Sequence, residues 1–176
     1  MKKFFLYGSL VIIAAIFVMM IIAPKSETVQ RSITIEEPVD VVYPYFASLQ
    51  NMEDYAVWQA LDPNTIHEYR GAGNSVGSVH AWKSEHEQVG VGEQEIIAMI
   101  PNKEIISELR FKEPFESTST AFLKFEENGN QTKVIWGYEA SYGALESLFM
   151  MFLDMDKLLG PDFEKGLAKA KEIIEE

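Results

Sequence analysis

The spacing of apolar residues changes twice along the chain. Residues 4–23, FFLYGSLVIIAAIFVMMIIA, form an unbroken apolar run of twenty residues without a charge. At about 1.5 Å of rise per residue, a helix of that length matches a hydrocarbon core of about 30 Å. VQRSITIEE, residues 29–37, reads as a strand. Pro38 with VDVVYPYFASL predicts a short helix broken at Pro44, because an internal proline removes a backbone donor and crowds the preceding turn. A second helical piece is expected over NMEDYAVW, residues 51–58, with Asn51 as N-cap. From about Thr65 to Ser141 the period becomes two, with turn signals at GAGNSVG, Pro101-Asn102, Lys112-Glu113-Pro114 and Asn128-Gly129-Asn130. The last of these, between TAFLKFEE and QTKVIWGYE, is a strong hairpin signal. From about Gly143 to the C-terminus the pattern is helical. The order of strand, two short helices, about six strands and one long helix predicts an α+β domain, a curved antiparallel sheet holding the C-terminal helix.

Charged positions mark the outer face of each strand, so their neighbours face the helix. His80, Trp82 and Ser84 are then inward, as are Gln94, Ile96, Ala98 and Ile100. Ile105, Ser107, Leu109 and Phe111 follow on the next strand, then Ala121, Leu123 and Phe125, then Val134, Trp136 and Tyr138. On the C-terminal helix Leu148, Phe152, Met155, Leu159, Phe163, Gly166, Ala170 and Ile173 form one stripe. Asp156 falls at its edge, placed to reach the interior; Asp154 points away and suits a pairing with Lys157. Gly160-Pro161 interrupts this helix and predicts a bend or a restart, with something lying beneath it. LESLFMMFLDM, residues 145–155, is apolar nearly all round, as loop cover, a lid or a face toward a bilayer would be.

Charge and composition narrow the picture. Lys2 and Lys3 precede the apolar run, so the rest of the chain holds 13 of the 15 basic residues against all 27 acidic ones, a formal charge of −14. Such a surface repels phosphate backbones and anionic headgroups, which argues against nucleic acid and against electrostatic docking on lipid. The apolar run is longer than a secretory-signal core and ends in Met20-Ile21-Ile22-Ala23 before Pro24, without a small-residue cleavage pattern, so an uncleaved anchor is the preferred reading. Residues 1–25 are accordingly expected to be a transmembrane anchor and 26–176 one domain, at the cell membrane, with the soluble part outside the cytoplasm. The stretch PKSETVQ is expected as a short linker. The absence of cysteine removes disulfides, thiolate metal sites and thiol lipidation.

The chemistry-bearing residues are sparse. His67, His80 and His86 have no metal-ligand spacing, so no metal is expected, and no cofactor either. No nucleophile elbow is present, and Gly90 and Gly92 precede a strand rather than a helix, which suits a bulge or bend and not a phosphate loop. His80, Tyr138 and Asp156 are the candidates for acid, base or positioning roles.

RSITIEEPVDVVYPYFASLQN, the Trp58-x-x-Leu61-Asp62-Pro63 motif and DMDKLLGPDFEKGL at 154–167 together resemble the polyketide cyclase/dehydrase-like branch of the START-like (SRPBCC) superfamily, over about residues 28–176. The resemblance implies a helix-grip, START/Bet v 1-like fold with a deep cavity for hydrophobic small molecules. It assigns no reaction residue by residue. The expected function is a membrane-anchored domain binding an apolar molecule or lipid, leaning away from enzymatic activity. The expected lining is His80, Trp82, Gln94, Leu109, Leu123, Trp136, Tyr138, Phe152, Met155, Asp156, Leu159 and Phe163. A cyclase- or dehydratase-type enzyme and a protein-interaction module of the cell envelope are the alternatives.

Overall fold

The computed structural model describes residues 2–176, and the side chains of all of these except residues 2–6, 9, 11 and 12. Helix α1 (Lys2–Ile22) is followed by strand β1 (Ser26–Ile35), helices α2 (Val39–Ala47) and α3 (Met52–Tyr55), and a 3-10 turn at Val57–Ala60. Six strands follow: β2 (Ile66–Arg70), β3 (Val79–Lys83), β4 (Val91–Ile100), β5 (Glu104–Glu113), β6 (Ser117–Asn128) and β7 (Gln131–Ser141). Helices α4 (Ala144–Met150) and α5 (Met155–Glu175) close the chain. The strands form one sheet in the order β1-β7-β6-β5-β4-β3-β2, antiparallel at every pairing. This is the expected α+β helix-grip arrangement, with α5 lying on β1 and β7 and α2 on β6 and β7.

The hairpin at Gly129-Asn130 is the tight turn the sequence predicts, joining Asn128 and Gln131 as a register pair, with Gly129 at φ +65° as a two-residue turn requires. Alternation assigns the inner face correctly on β3, β5, β6 and β7, where Ile105, Leu123, Phe125, Val134 and Trp136 are buried. It fails halfway along β4. A register shift between Ile96 and Ala98 puts Met99 opposite the inward Ile105 and Ala98 opposite the outward Ile106. Ala98 and Ile100, expected inward, therefore face out. The bulge is invisible in the sequence because every residue from Ile96 to Ile100 is apolar. A second shift at Val91/Gly92 is the irregularity expected there, and Trp82 lies directly across Gly92.

Three local expectations are corrected. Helix α2 is not broken at Pro44: Val39, Val42, Tyr43, Phe46 and Ala47 bury one face, and that packing outweighs the missing backbone bond. Asn51 stands at the N-cap position of α3, but its side chain does not cap: its backbone is already helical, and its amide donates to the Tyr45 carbonyl at 2.9 Å. The C-terminal helix is two helices, because Asp154 accepts the Lys157 backbone N–H at 3.1 Å and caps a new start. Asp154 also takes the expected pairing, its carboxylate 2.6 Å from the Lys157 ammonium.

The segment expected as a linker is mostly strand, since β1 already begins at Ser26 and pairs with Ser141. Among the described residues no helix is long and apolar enough to cross a membrane. Phe4, Phe5, Leu6, Ser9, Val11 and Ile12 of the apolar run have side chains outside the described residues. The anchor expected over residues 4–23 falls in part on them and is not shown.

Candidate functional site

The centre of the grip is filled. Trp136 of β7 stacks on Phe163 of α5 with centroids 4.7 Å apart, and Tyr55 and Trp58 close on it at 5.4 Å each. Gly166 lets α5 approach this cluster: a Cβ there would lie 2.8 Å from the Trp136 ring and 3.0 Å from the Tyr55 carbonyl oxygen. The space where a deep cavity is implied by resemblance is thus occupied by aromatic packing.

A hollow of about 20 Å³ remains beside it. Its floor is Gln94, Ile96, Ile105, Ser107, Ala121 and Leu123, its wall Trp136, and its roof Phe46 of α2, Leu49 of the α2–α3 turn and Met52 of α3. That volume is roughly what one or two waters need. Gln94 and Ser107, 8% and 3% exposed, are the two polar side chains among these apolar ones. Beyond them the concave face continues over Trp82, Leu109, Phe111 and Tyr138, all half-buried. Among the described residues no helix packs on β3, β4 or β5 as closely as α5 and α2 do on the other half of the sheet.

At the β2–β3 edge lies a polar cluster. His80 is 1% exposed, and its Nε2 stands 2.9 Å from Nδ1 of His67, one ring donating to the other. The Tyr69 ring, opposite His80 in register, stacks on it at 4.6 Å and 10° and donates its hydroxyl to Glu53. Burial, with the neighbouring His67 adding to it, holds the His80 imidazole down to about 4. Its Nδ1 is buried without a partner among the described residues. Burial, and then the Glu53 carboxylate, push the Tyr69 hydroxyl well above the usual phenol range. On β7, Tyr138 exchanges a 2.8 Å hydrogen bond with Ser119, and burial raises its hydroxyl.

The predicted lining divides. Gln94, Leu123 and Trp136 border the hollow; His80, Trp82, Leu109 and Tyr138 lie on the same concave face. Phe163 belongs to the packed centre, with Met155 and Leu159 against its edge. Phe152 is 82% exposed, because the break after α4 turns it out of the stripe. Asp156 does not reach the interior. Arg31 of β1 holds it in a two-pronged ion pair at 2.7 and 2.9 Å and also grips Glu164 at 2.6 Å. The Arg31 guanidinium therefore keeps the Asp156 carboxyl below its ordinary range.

Arg31 is also what lies beside the Gly-Pro pair. A Cβ on Gly160 would stand 2.1 Å from its guanidinium, and α5 runs on through Pro161 without a restart. His80 and Tyr138 sit four strand spacings apart, roughly 19 Å along the sheet. Curvature shortens that distance without closing it, so the three acid–base candidates do not converge.

Sequence reasoning missed the roof, although Phe46, Leu49 and Met52 recur at near-helical spacing. It also missed His67 and Tyr69, which the outward Glu68 and Arg70 of IHEYR mark as inward. In the Trp58 to Pro63 motif, Asp62 accepts from the Ser84 hydroxyl and from the Asn64 N–H at 2.9 Å, tying the turn before β2 to the end of β3.

The family model described as "Polyketide cyclase / dehydrase and lipid transport" matches residues 26–175. No curated protein matches the chain. Among solved structures, protein CV1439 from Chromobacterium violaceum is similar with a TM-score of 0.60 at 10% identity, over 85% of this chain and 97% of that one. The Aha1 dimer from Colwellia psychrerythraea aligns at 0.58 and 15%, over 85% and 96%. The Zhui aromatase/cyclase from Streptomyces sp. R1128 aligns at 0.58 and 11%, over 85% and 94%. At these identities the likeness is one of fold.

Proposed function

The chain belongs to the polyketide cyclase / dehydrase and lipid transport family, and on that footing we propose that it binds an apolar small molecule or lipid on the concave face of its sheet while residues 4–23 tether it to the membrane. The observation that carries the reading is the hollow over Gln94 and Ser107, two polar groups set in an apolar floor. Such a floor suits a ligand with a long apolar body and one hydrogen-bonding end. Ligand sites usually measure about 300–1,000 Å³, so binding requires Phe46, Leu49 and Met52 to move outward. These three ride on α2, α3 and the turn between them, short pieces that can shift without unravelling the sheet.

The tether is supported by the chargeless run at 4–23 and by helix α1, which covers that run up to Ile22. Its side chains Tyr7, Leu10, Ile13, Phe17, Ile21 and Ile22 are all more than half exposed, a surface that water does not favour. We place the division between tether and binding domain at residues 25 and 26, at the cell membrane, with the domain outside the cytoplasm. A cyclase- or dehydratase-type reaction would have to rest on the His67–His80–Tyr69 cluster, because Asp156 and Tyr138 lie elsewhere.

Native mass spectrometry of the full chain, released from detergent after purification from membranes, tests the binding reading. A stoichiometric apolar adduct on the wild type, lost when Ala121→Val fills the hollow, is the expected result. A bare mass for both proteins would make the hollow a packing defect and end the proposal.

A further inference from the structure

The sheet topology gathers five connections at one end. The start of β1, the end of β7, the start of β6, the end of β5, the start of β4, the end of β3 and the start of β2 share that end, as the register pairs Ser26↔Ser141, Phe111↔Ser117, Val91↔Glu113 and Ile66↔Lys83 require. The α1–β1 junction, the α4 segment, the β5–β6 turn, the β3–β4 turn and the approach to β2 therefore lie together. The most exposed large apolar side chains of the domain stand there: Phe152 at 82%, Phe115 at 81%, Leu145 at 77% and Phe149 at 68%. The opposite end carries Glu36, Glu37, the Gly71–Gly77 loop, Pro101-Asn102-Lys103, Asn128-Gly129-Asn130 and the acidic C-terminus, and its exposed large apolar residues, Val76 at 60%, Ile100 at 51% and Val41 at 48%, are less open.

The tether leaves from the apolar end and is short. Three residues, Ala23 to Lys25, separate α1 from β1, a span of about 10 Å at most. The Tyr142 N–H donates to the Lys25 carbonyl at 2.8 Å, and the Lys25 ammonium donates to the Met20 carbonyl at 2.7 Å, fastening the junction from both sides. Helix α4 packs on α1. Whatever surrounds the end of α1 must therefore meet Phe115, Phe149 and Phe152.

We propose that this end of the domain is a bilayer-docking face, with Phe115, Leu145, Phe149 and Phe152 seated in the interfacial layer of the membrane that α1 spans. The inference rests on the tether reading above. It names a zwitterionic bilayer rather than an anionic one, because at the same end Glu85, Glu87, Glu116 and Glu146 outnumber the scattered Lys25, Lys83 and Lys112. Docked in this way, the half-open concave face past Trp82 and Phe111 opens toward the acyl chains rather than toward water.

The cysteine-free chain allows a direct test. Single variants Ile13→Cys, Phe115→Cys, Phe152→Cys and Val76→Cys of the full chain, each spin-labelled and reconstituted in phosphatidylcholine nanodiscs, report depth through their relative accessibility to oxygen and to a water-soluble nickel chelate. Labels at 115 and 152 are expected to be shielded from nickel at least fivefold more than the label at 76, at low and high salt alike, with the label at 13 in the hydrocarbon. Labels at 115 and 152 as nickel-accessible as the one at 76, with 13 still buried, would overturn docking while leaving the tether intact. A nickel-accessible label at 13 would remove the tether and docking together. Shielding that comes with spin–spin broadening, and vanishes on dilution with unlabelled protein, would assign the face to a second copy of this chain and overturn the bilayer reading.

Discussion

A neutral imidazole enclosed by Tyr69, His67 and Trp82 makes His80 the point where acid reaches the interior of the sheet. Its folded pKa of about 4 lies below the 6.5 of an ordinary imidazole, so between those values the unfolded chain takes up a proton that the folded chain refuses. The stability it contributes is complete above about pH 6.5 and is lost as pH falls toward 4, by roughly 3 kcal/mol at most. Urea unfolding of the wild type should weaken over this window, and His80→Gln, which keeps a polar side chain but cannot titrate, should flatten the dependence. Parallel curves for the two proteins would mean that His80 is protonated at no cost. Arg31 teaches the complementary lesson. Its pairing with Asp156 and Glu164 links positions 125 and 133 residues apart, so the motif that drew attention to Asp156 gave no sign of what it faces.

At the scale of elements, the β meander was legible because charged residues alternate with apolar ones and Gly, Pro and Asn punctuate the turns. The alternation stopped being informative where charge disappeared, at Ile96 to Ile100, and the bulge hid there. Pro44 and the restart expected at Pro161 misled for a common reason. A proline inside a helix removes one bond, yet each of these helices buries a whole face, and packing decides. Gly166 shows the reverse, a residue of poor helix propensity kept by contact. Gly166→Ala gains about 1 kcal/mol in propensity but pushes a methyl against a ring and a backbone oxygen that cannot yield, at a cost of about 1–3 kcal/mol. The expected outcome by chemical denaturation is a net loss of up to about 2 kcal/mol, whereas a stabilised variant would show α5 free to slide away from Trp136.

For the whole molecule, the layers could be read from the chain, while the site could be read only by face. Which side chains look inward follows from alternation, but how far the facing helices stand off the sheet depends on the fit of Trp136, Phe163, Tyr55 and Trp58, which no linear pattern encodes. The deep cavity implied by resemblance became a hollow of about 20 Å³ for that reason. For the domain to bind as proposed, this hollow must open to admit an apolar guest. All seven strands, α2, α3 and α5 lie within residues 26–176, so that piece contains the complete core. The most direct measurement is a fluorescence titration of residues 26–176 with the neutral apolar dye N-phenyl-1-naphthylamine, with Ala121→Val in parallel and urea midpoints verifying both folds. Saturable one-to-one binding by the wild type, weakened at least tenfold in the variant, is the predicted result; unsaturable partitioning, or equal binding by both proteins, would contradict it.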